Sequence, residues 1–160
     1  LKGAPGRLQR IPGHPKGAVY VDYAHKPEAL RSILTTLKPY ARNRLICVFG
    51  CGGDRDRDKR FIMGKIADEL ADIVIVTDDN PRSEDPATIR AAILEATPNA
   101  SEIGDRRDAI RHGINLMENG DVLVIAGKGH ETGQTVKGQT HRFDDIEETQ
   151  NAIKELQSGQ

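Results

Sequence analysis

Short apolar, β-rich runs alternate with helical patterns along most of this chain, and that rhythm admits few folds. The runs are Ala18-Val-Tyr-Val-Asp22, Leu45-Ile-Cys-Val-Phe49, Asp72-Ile-Val-Ile-Val-Thr77 and Asp121-Val-Leu-Val-Ile-Ala126. Helical patterns cover 26–40, 58–71, 86–96, 105–118 and 144–156, with a short segment, Ser101-Glu-Ile-Gly104, between the third and fourth. Buried strands joined by helices require a mostly parallel, doubly wound sheet, because right-handed crossovers place helices on both faces. The expected class is therefore α/β, Rossmann-like, with 121–126, the most apolar run, as its central strand. Pro86 fits a first helical turn, and the Asn119-Gly120 pair is expected to cap the fourth helix. Residues 132–143 alternate polar and apolar around Lys137-Gly138, as a hairpin does, and are expected to add an antiparallel edge.

With 160 residues the chain is long enough for one core and short for two. Residues 1–17, rich in Gly, Pro and basic side chains, read as a linker-like lead-in, and 18–160 as a single domain. A net charge of -1 with acids and bases interspersed excludes a general nucleic-acid or membrane-surface binder. No apolar stretch approaches the roughly 20 residues that span a bilayer, and the start lacks a signal-peptide plan. A cytoplasmic monomer is expected. Cys47 and Cys51 have no Cys or His partners at metal-site spacing and read as reduced thiols, one packed and one in a turn.

In a sheet of this kind the loops after the strands share one rim, where ligands bind. Four such loops carry unusual chemistry: Asp22-Tyr-Ala-His-Lys-Pro27, Gly50-Cys-Gly-Gly-Asp-Arg55, Asp78-Asp-Asn-Pro-Arg82 and Gly127-Lys-Gly-His-Glu131. Glycines let backbone approach a ligand, and charged tips then grip it. Arg82 offers a planar fork that pairs two-for-two with a carboxylate, while Asp79 and Asn80 can accept from an ammonium group. That combination suits a zwitterionic, amino-acid-like ligand; ordinary turn chemistry is the competing reading of Asp-Asn-Pro. Neither G-x-x-x-x-G-K-[ST] nor G-x-G-x-x-G occurs, so the chain carries no P-loop or dinucleotide fingerprint. The alternating Asp54 to Asp58 run reads as a self-neutralised turn, and His130 as a hydrogen-bonded loop histidine. No residue is assigned a catalytic or metal-binding role.

The loops together resemble one family, the Mur ligases, and within them the carboxyl-terminal domain of the members that add meso-diaminopimelate. The matching segments are Pro5-Gly-Arg7, Val21-Asp-Tyr-Ala-His25, Val48-Phe-Gly-Cys-Gly-Gly-Asp-Arg55, Thr77-Asp-Asp-Asn-Pro-Arg82 and Gly127-Lys-Gly-His-Glu131. The resemblance implies an ATP-dependent ligation in which the carboxylate of UDP-N-acetylmuramoyl-L-alanyl-D-glutamate becomes an acyl phosphate and the amino acid's amine displaces phosphate. It implies diaminopimelate contacts from Arg55, Asp79, Asn80, Arg82, Gly127 and Glu131, with Pro81 shaping the turn. It also implies that Arg7, Asp22 and His25 reach ATP across a cleft. Family members carry the P-loop and magnesium sites on a separate central domain, so ATP and Mg2+ are expected with the full-length enzyme, and this domain by itself is expected to hold no cofactor and to be inactive. Because lysine lacks the second carboxylate of diaminopimelate, it would leave Arg82 unpaired, a penalty of roughly a thousandfold for a buried guanidinium. The alternative readings are a free-standing amino-acid-binding module and a nucleotide-binding Rossmann protein.

Overall fold

A computed structural model describes residues 8–54, 56–129 and 131–158. Its elements run β1 (Gln9–Ile11), β2 (Ala18–Asp22), α1 (Pro27–Leu37), β3 (Leu45–Phe49), α2 (Asp58–Leu70), β4 (Ile73–Val76), α3 (Pro86–Leu94), β5 (Ser101–Glu102), α4 (Arg106–Leu116), β6 (Val122–Ala126), β7 (Gly133–Val136), β8 (Gln139–Arg142) and α5 (Asp145–Ser158). The main sheet has the order β1-β2-β6-β3-β4-β5, and every pairing except β1 with β2 is parallel. The most apolar strand, β6, lies between β2 and β3, where both its faces are covered.

Alternation along the strands sorts the core into two layers. Val122, Val124 and Ala126 of β6 turn to the same face as Leu45, Cys47 and Phe49 of β3, against Leu30 and Leu34 of α1, Met63 of α2 and Ile93 of α3. Leu123 and Ile125 turn the other way with Ile46, Val48 and Ile75, against Ile110 and Ile114 of α4 and Ile153 of α5. The α/β doubly wound class is therefore as expected. The chain leaves β2, β3 and β4 toward the first face and leaves β5 and β6 toward the second. A crevice must open where those departures diverge, beside the carboxyl end of β6.

Three details differ from the expectations. Residues 9–11, assigned to a connector, form the antiparallel edge strand β1, with Ile11 buried in the second layer. The 133–142 hairpin does form, through a turn in which Lys137 and Gly138 both have positive φ, 50° and 76°. It is a separate two-stranded sheet, however, and the antiparallel edge of the main sheet is β1. Finally, α4 stops at Leu116 before reaching Asn119-Gly120. Asp121 intervenes: its buried carboxylate accepts from the backbone N–H of Glu118 and Arg44 and from the Arg44 guanidinium, which ends the helix and starts β6.

Candidate functional site

The loops after β3 and β4 are pressed together backbone to backbone. A Cβ on Gly50 would lie 2.2 Å from the Thr77 carbonyl oxygen, and one on Gly53 only 1.8 Å from that of Pro81. Only glycine permits this approach. The Gly53 N–H then donates to the Asn80 carbonyl at 2.8 Å. Side chains lock the same contact: Asp54 accepts from the Ser83 hydroxyl at 2.6 Å, and Glu84 accepts from the Asp54 N–H and from the fork of Arg60 at 2.7 and 3.0 Å. Arg60 is buried on α2, and its pairing, with the Asp54 N–H bond, pulls the Glu84 carboxyl down to about 2.

The β6 loop joins this pair from the other side. Gly127 adopts φ +125° and donates its N–H to the Asp22 carbonyl. Lys128 next to it has no exposed surface; its Nζ lies 2.8 Å from the Gly133 carbonyl, 3.1 Å from Asn80 Oδ1 and 3.2 Å from Asp79 Oδ1. The hairpin adds four more ties, with Thr135 N–H donating to Asn80 Oδ1, Gln134 Nε2 to the Asp79 carbonyl, Arg82 N–H to the Thr135 carbonyl and Lys137 N–H to the Arg82 carbonyl. Arg82 is thereby held at φ 54°, an uncommon conformation for a side chain of its size, which costs of order 1 kcal/mol and is typical of ligand-gripping loops.

Beneath the rim sits a second buried arginine. Arg106 of α4 forks Asp145 of α5 at 2.8 and 2.7 Å and donates upward to the carbonyls of Asp78 and Ala126. Burial alone would lower its pKa, but the charge and hydrogen bonds of Asp145 more than reverse that, so the guanidinium stays charged.

These loops enclose a cleft of about 120 Å³ lined by Tyr23, His25, Gly50, Cys51, Gly52, Lys59, Asp79, Asn80, Arg82, Gly127 and Glu131. Arg82 directs Nη1 to the carbonyls of Gly53 and Asn80 at 3.0 and 3.3 Å, and no acceptor among the described residues engages Nη2 or Nε. Lys59 donates to the His25 carbonyl, tying α2 to the β2 loop. Cys51 packs on Met63, and burial pushes its thiol up to about 12, so it is wall rather than nucleophile. Asn80 already satisfies its oxygen twice within the protein, whereas the Glu131 side chain is exposed at the mouth.

A larger hollow of about 460 Å³ lies on the other side of the β2 loop, lined by Leu8, Asp22, Tyr23, Ala24, His25, Lys26, Ala29, Ser32, Ile33 and Thr36. Asp22 shapes it by accepting from the N–H groups of Leu8 and Ala24 at 2.6 and 2.7 Å. His25, its ring 4.5 Å from that of Tyr23, borders both spaces.

Of the residues singled out in the sequence, Asp79, Asn80, Arg82, Gly127 and Glu131 thus line one cleft, Pro81 is buried beside it with its carbonyl against Gly53, and Asp22 and His25 face the adjoining hollow. Arg7 and Arg55 lie outside the described residues, as does His130. Lys59, Arg60, Arg106 and the hairpin residues Gln134 and Thr135 were not singled out, and Lys128 was noted only as a member of the Gly127–Glu131 loop, without its buried contacts. Among the described residues no cluster of three or more His, Cys, Asp and Glu is placed to hold a metal, and no helix is long and apolar enough to cross a membrane.

A doubly wound sheet whose strand-end loops converge on a charged cleft is the arrangement of a Mur ligase carboxyl-terminal domain. The sequence profile described as Mur ligase, glutamate ligase domain, matches residues 6–129, and the chain belongs to that family. More particularly, it is 63% identical over 155 residues to the UDP-N-acetylmuramoyl-L-alanyl-D-glutamate--2,6-diaminopimelate ligase of Caulobacter vibrioides. It is 60% identical over 156 residues to the protein of the same name from Mesorhizobium japonicum. These matches cover 96% and 97% of this chain and 32% of each relative, so the chain spans about a third of their length. A solved structure of a ligase with that name superposes with a TM-score of 0.91 at 46% identity, covering 98% of this chain and 33% of that one.

Proposed function

We propose that this domain holds meso-diaminopimelate for attachment to UDP-N-acetylmuramoyl-L-alanyl-D-glutamate. The observation that carries the reading is the pairing of opposite charges in the smaller cleft: Arg82, with Nη2 and Nε unengaged among the described residues, and Glu131, exposed at the mouth, line one space. A zwitterionic amino acid with a second carboxylate offers each of them a partner of opposite sign. The free edge of the Arg82 guanidinium is the natural partner of the distal carboxylate, and Arg55 is assigned a second carboxylate contact. Glu131 takes an ammonium group, and the Gly127 backbone lies against the same amino acid.

In this reading the chain supplies one third of a longer ATP-dependent ligase. The acceptor carboxylate takes the γ-phosphoryl group of ATP, releasing ADP; the diaminopimelate nitrogen then bonds to the acyl carbon, phosphate leaves and the nitrogen loses a proton. This domain's part is to present that nitrogen, unprotonated, in fixed orientation. Asp22 and His25 border the larger hollow and, together with Arg7, are proposed to meet the nucleotide. The magnesium that supports phosphoryl transfer is assigned to the remainder of the longer protein. Two free, buried thiols fit a reducing, cytoplasmic setting.

Calorimetric titration with meso-diaminopimelate and with L-lysine at neutral pH tests the proposal. The wild-type chain should prefer diaminopimelate by about tenfold to a hundredfold, the worth of a charge-assisted hydrogen-bond pair at a half-exposed guanidinium. Arg82→Ala should remove the preference while circular dichroism stays unchanged. Equal binding of the two amino acids by the wild-type chain would sink the reading.

A further inference from the structure

Asp79 and Asn80 carry the acceptors best suited to a ligand's ammonium group, yet both are engaged from behind. Lys128 Nζ donates to Asn80 Oδ1 on the β4 loop and to the Gly133 carbonyl at the start of the hairpin, and lies in ion-pair range of Asp79 Oδ1. The Asp79 Oδ1 atom is buried and lacks an aligned hydrogen bond, so this ammonium, 3.2 Å away, is its direct ion-pair partner among the described residues, with the Arg106 guanidinium acting on it from farther off.

We propose that Lys128 is a positioning residue that sets the specificity of the cleft by neutralising Asp79, so that the cleft accepts a ligand bearing an extra carboxylate. The inference rests on the functional reading above. With Lys128 in place the inner wall is neutral, Glu131 is left to face the ligand's ammonium, and Arg82 meets the carboxylate without a competing anion. Without Lys128 the Asp79 charge faces the cleft with only the Arg106 guanidinium, already paired with Asp145, to offset it. A ligand whose far end is only an ammonium group then gains, and one that also carries a carboxylate there loses.

The test compares the ratio of L-lysine to meso-diaminopimelate dissociation constants, because loop loosening that weakens both ligands equally leaves that ratio unmoved. Lys128→Met should shift it toward lysine by about tenfold, the size expected for one uncompensated charge several ångströms from the ligand at a protein-like dielectric. Asp79→Asn, which leaves the lysine uncompensated, should shift it the opposite way, and the double variant should return close to wild type. If Lys128→Met does not fold, Asp79→Asn carries the test alone. Single variants that move the ratio in the same direction, or an unmoved ratio in a folded Lys128→Met or Asp79→Asn chain, overturn the role of Lys128. A wild-type chain without preference overturns instead the functional reading on which it rests.

Discussion

Glu84 connects protonation to the shape of the cleft. Its carboxylate receives the Arg60 fork and the Asp54 N–H, and so holds the β3 loop, which carries Gly52 and Gly53, against the β4 loop, which carries Arg82. Because the folded pKa falls from the usual 4.5 to about 2, the group favours the folded state wherever the unfolded chain's carboxylate is ionised. That contribution is fully present above about pH 4.5 and is lost as the pH falls through 2. Glu84→Gln should therefore lower stability near neutrality and flatten the acid limb of the stability profile across that window. Urea midpoints of both proteins at the two ends of the window check this; equal wild-type and variant slopes there would contradict it.

The hairpin shows what an element's sequence does and does not disclose. Its turn was legible because Lys137-Gly138 supports a tight reversal, although the expected alternation is carried in the two strands by Val136 alone. Its docking was not, since every residue of β8 is exposed and no apolar face exists to pack on the sheet. It attaches through polar bonds instead, Arg82 N–H to the Thr135 carbonyl and Lys137 N–H to the Arg82 carbonyl beside the side-chain bonds of Asn80, Gln134 and Lys128, and such pairings leave no mark in the apolar pattern. β1 was missed for a related reason: three residues with one buried side chain are too short for a period. Arg82 and Glu131 could be found because charged residues follow apolar strands. Lys128, Arg60 and Arg106 could not, since a buried cation is defined by partners from distant segments, and helical arginines ordinarily face water. Replacing 133–142 with a short Gly/Ser linker should thus leave the six-stranded sheet cooperative in urea, while the preference for diaminopimelate over lysine disappears in calorimetry. A preserved preference would show that the hairpin does not hold Arg82 in place.

At the scale of the whole molecule, rim and core are coupled through Arg106. One guanidinium reaches the β4 loop through Asp78, the end of β6 through Ala126 and helix α5 through Asp145, so it joins both the sheet and its second layer to the floor of the cleft. Both partners of the ion pair have no exposed side-chain surface. Removing one leaves a charge stranded in the interior, which costs about 3–5 kcal/mol, whereas replacing both with apolar residues is often close to neutral. Here two backbone carbonyls also lose their donor, so the recovery should be partial. Arg106→Leu is expected to destabilise the chain by about 3–5 kcal/mol, and Arg106→Leu with Asp145→Leu by clearly less. Urea denaturation of the two variants measures the difference. Equal losses would mean that the carbonyls of Asp78 and Ala126, rather than the charge of Asp145, dominate, and that Arg106 serves the cleft more than the core.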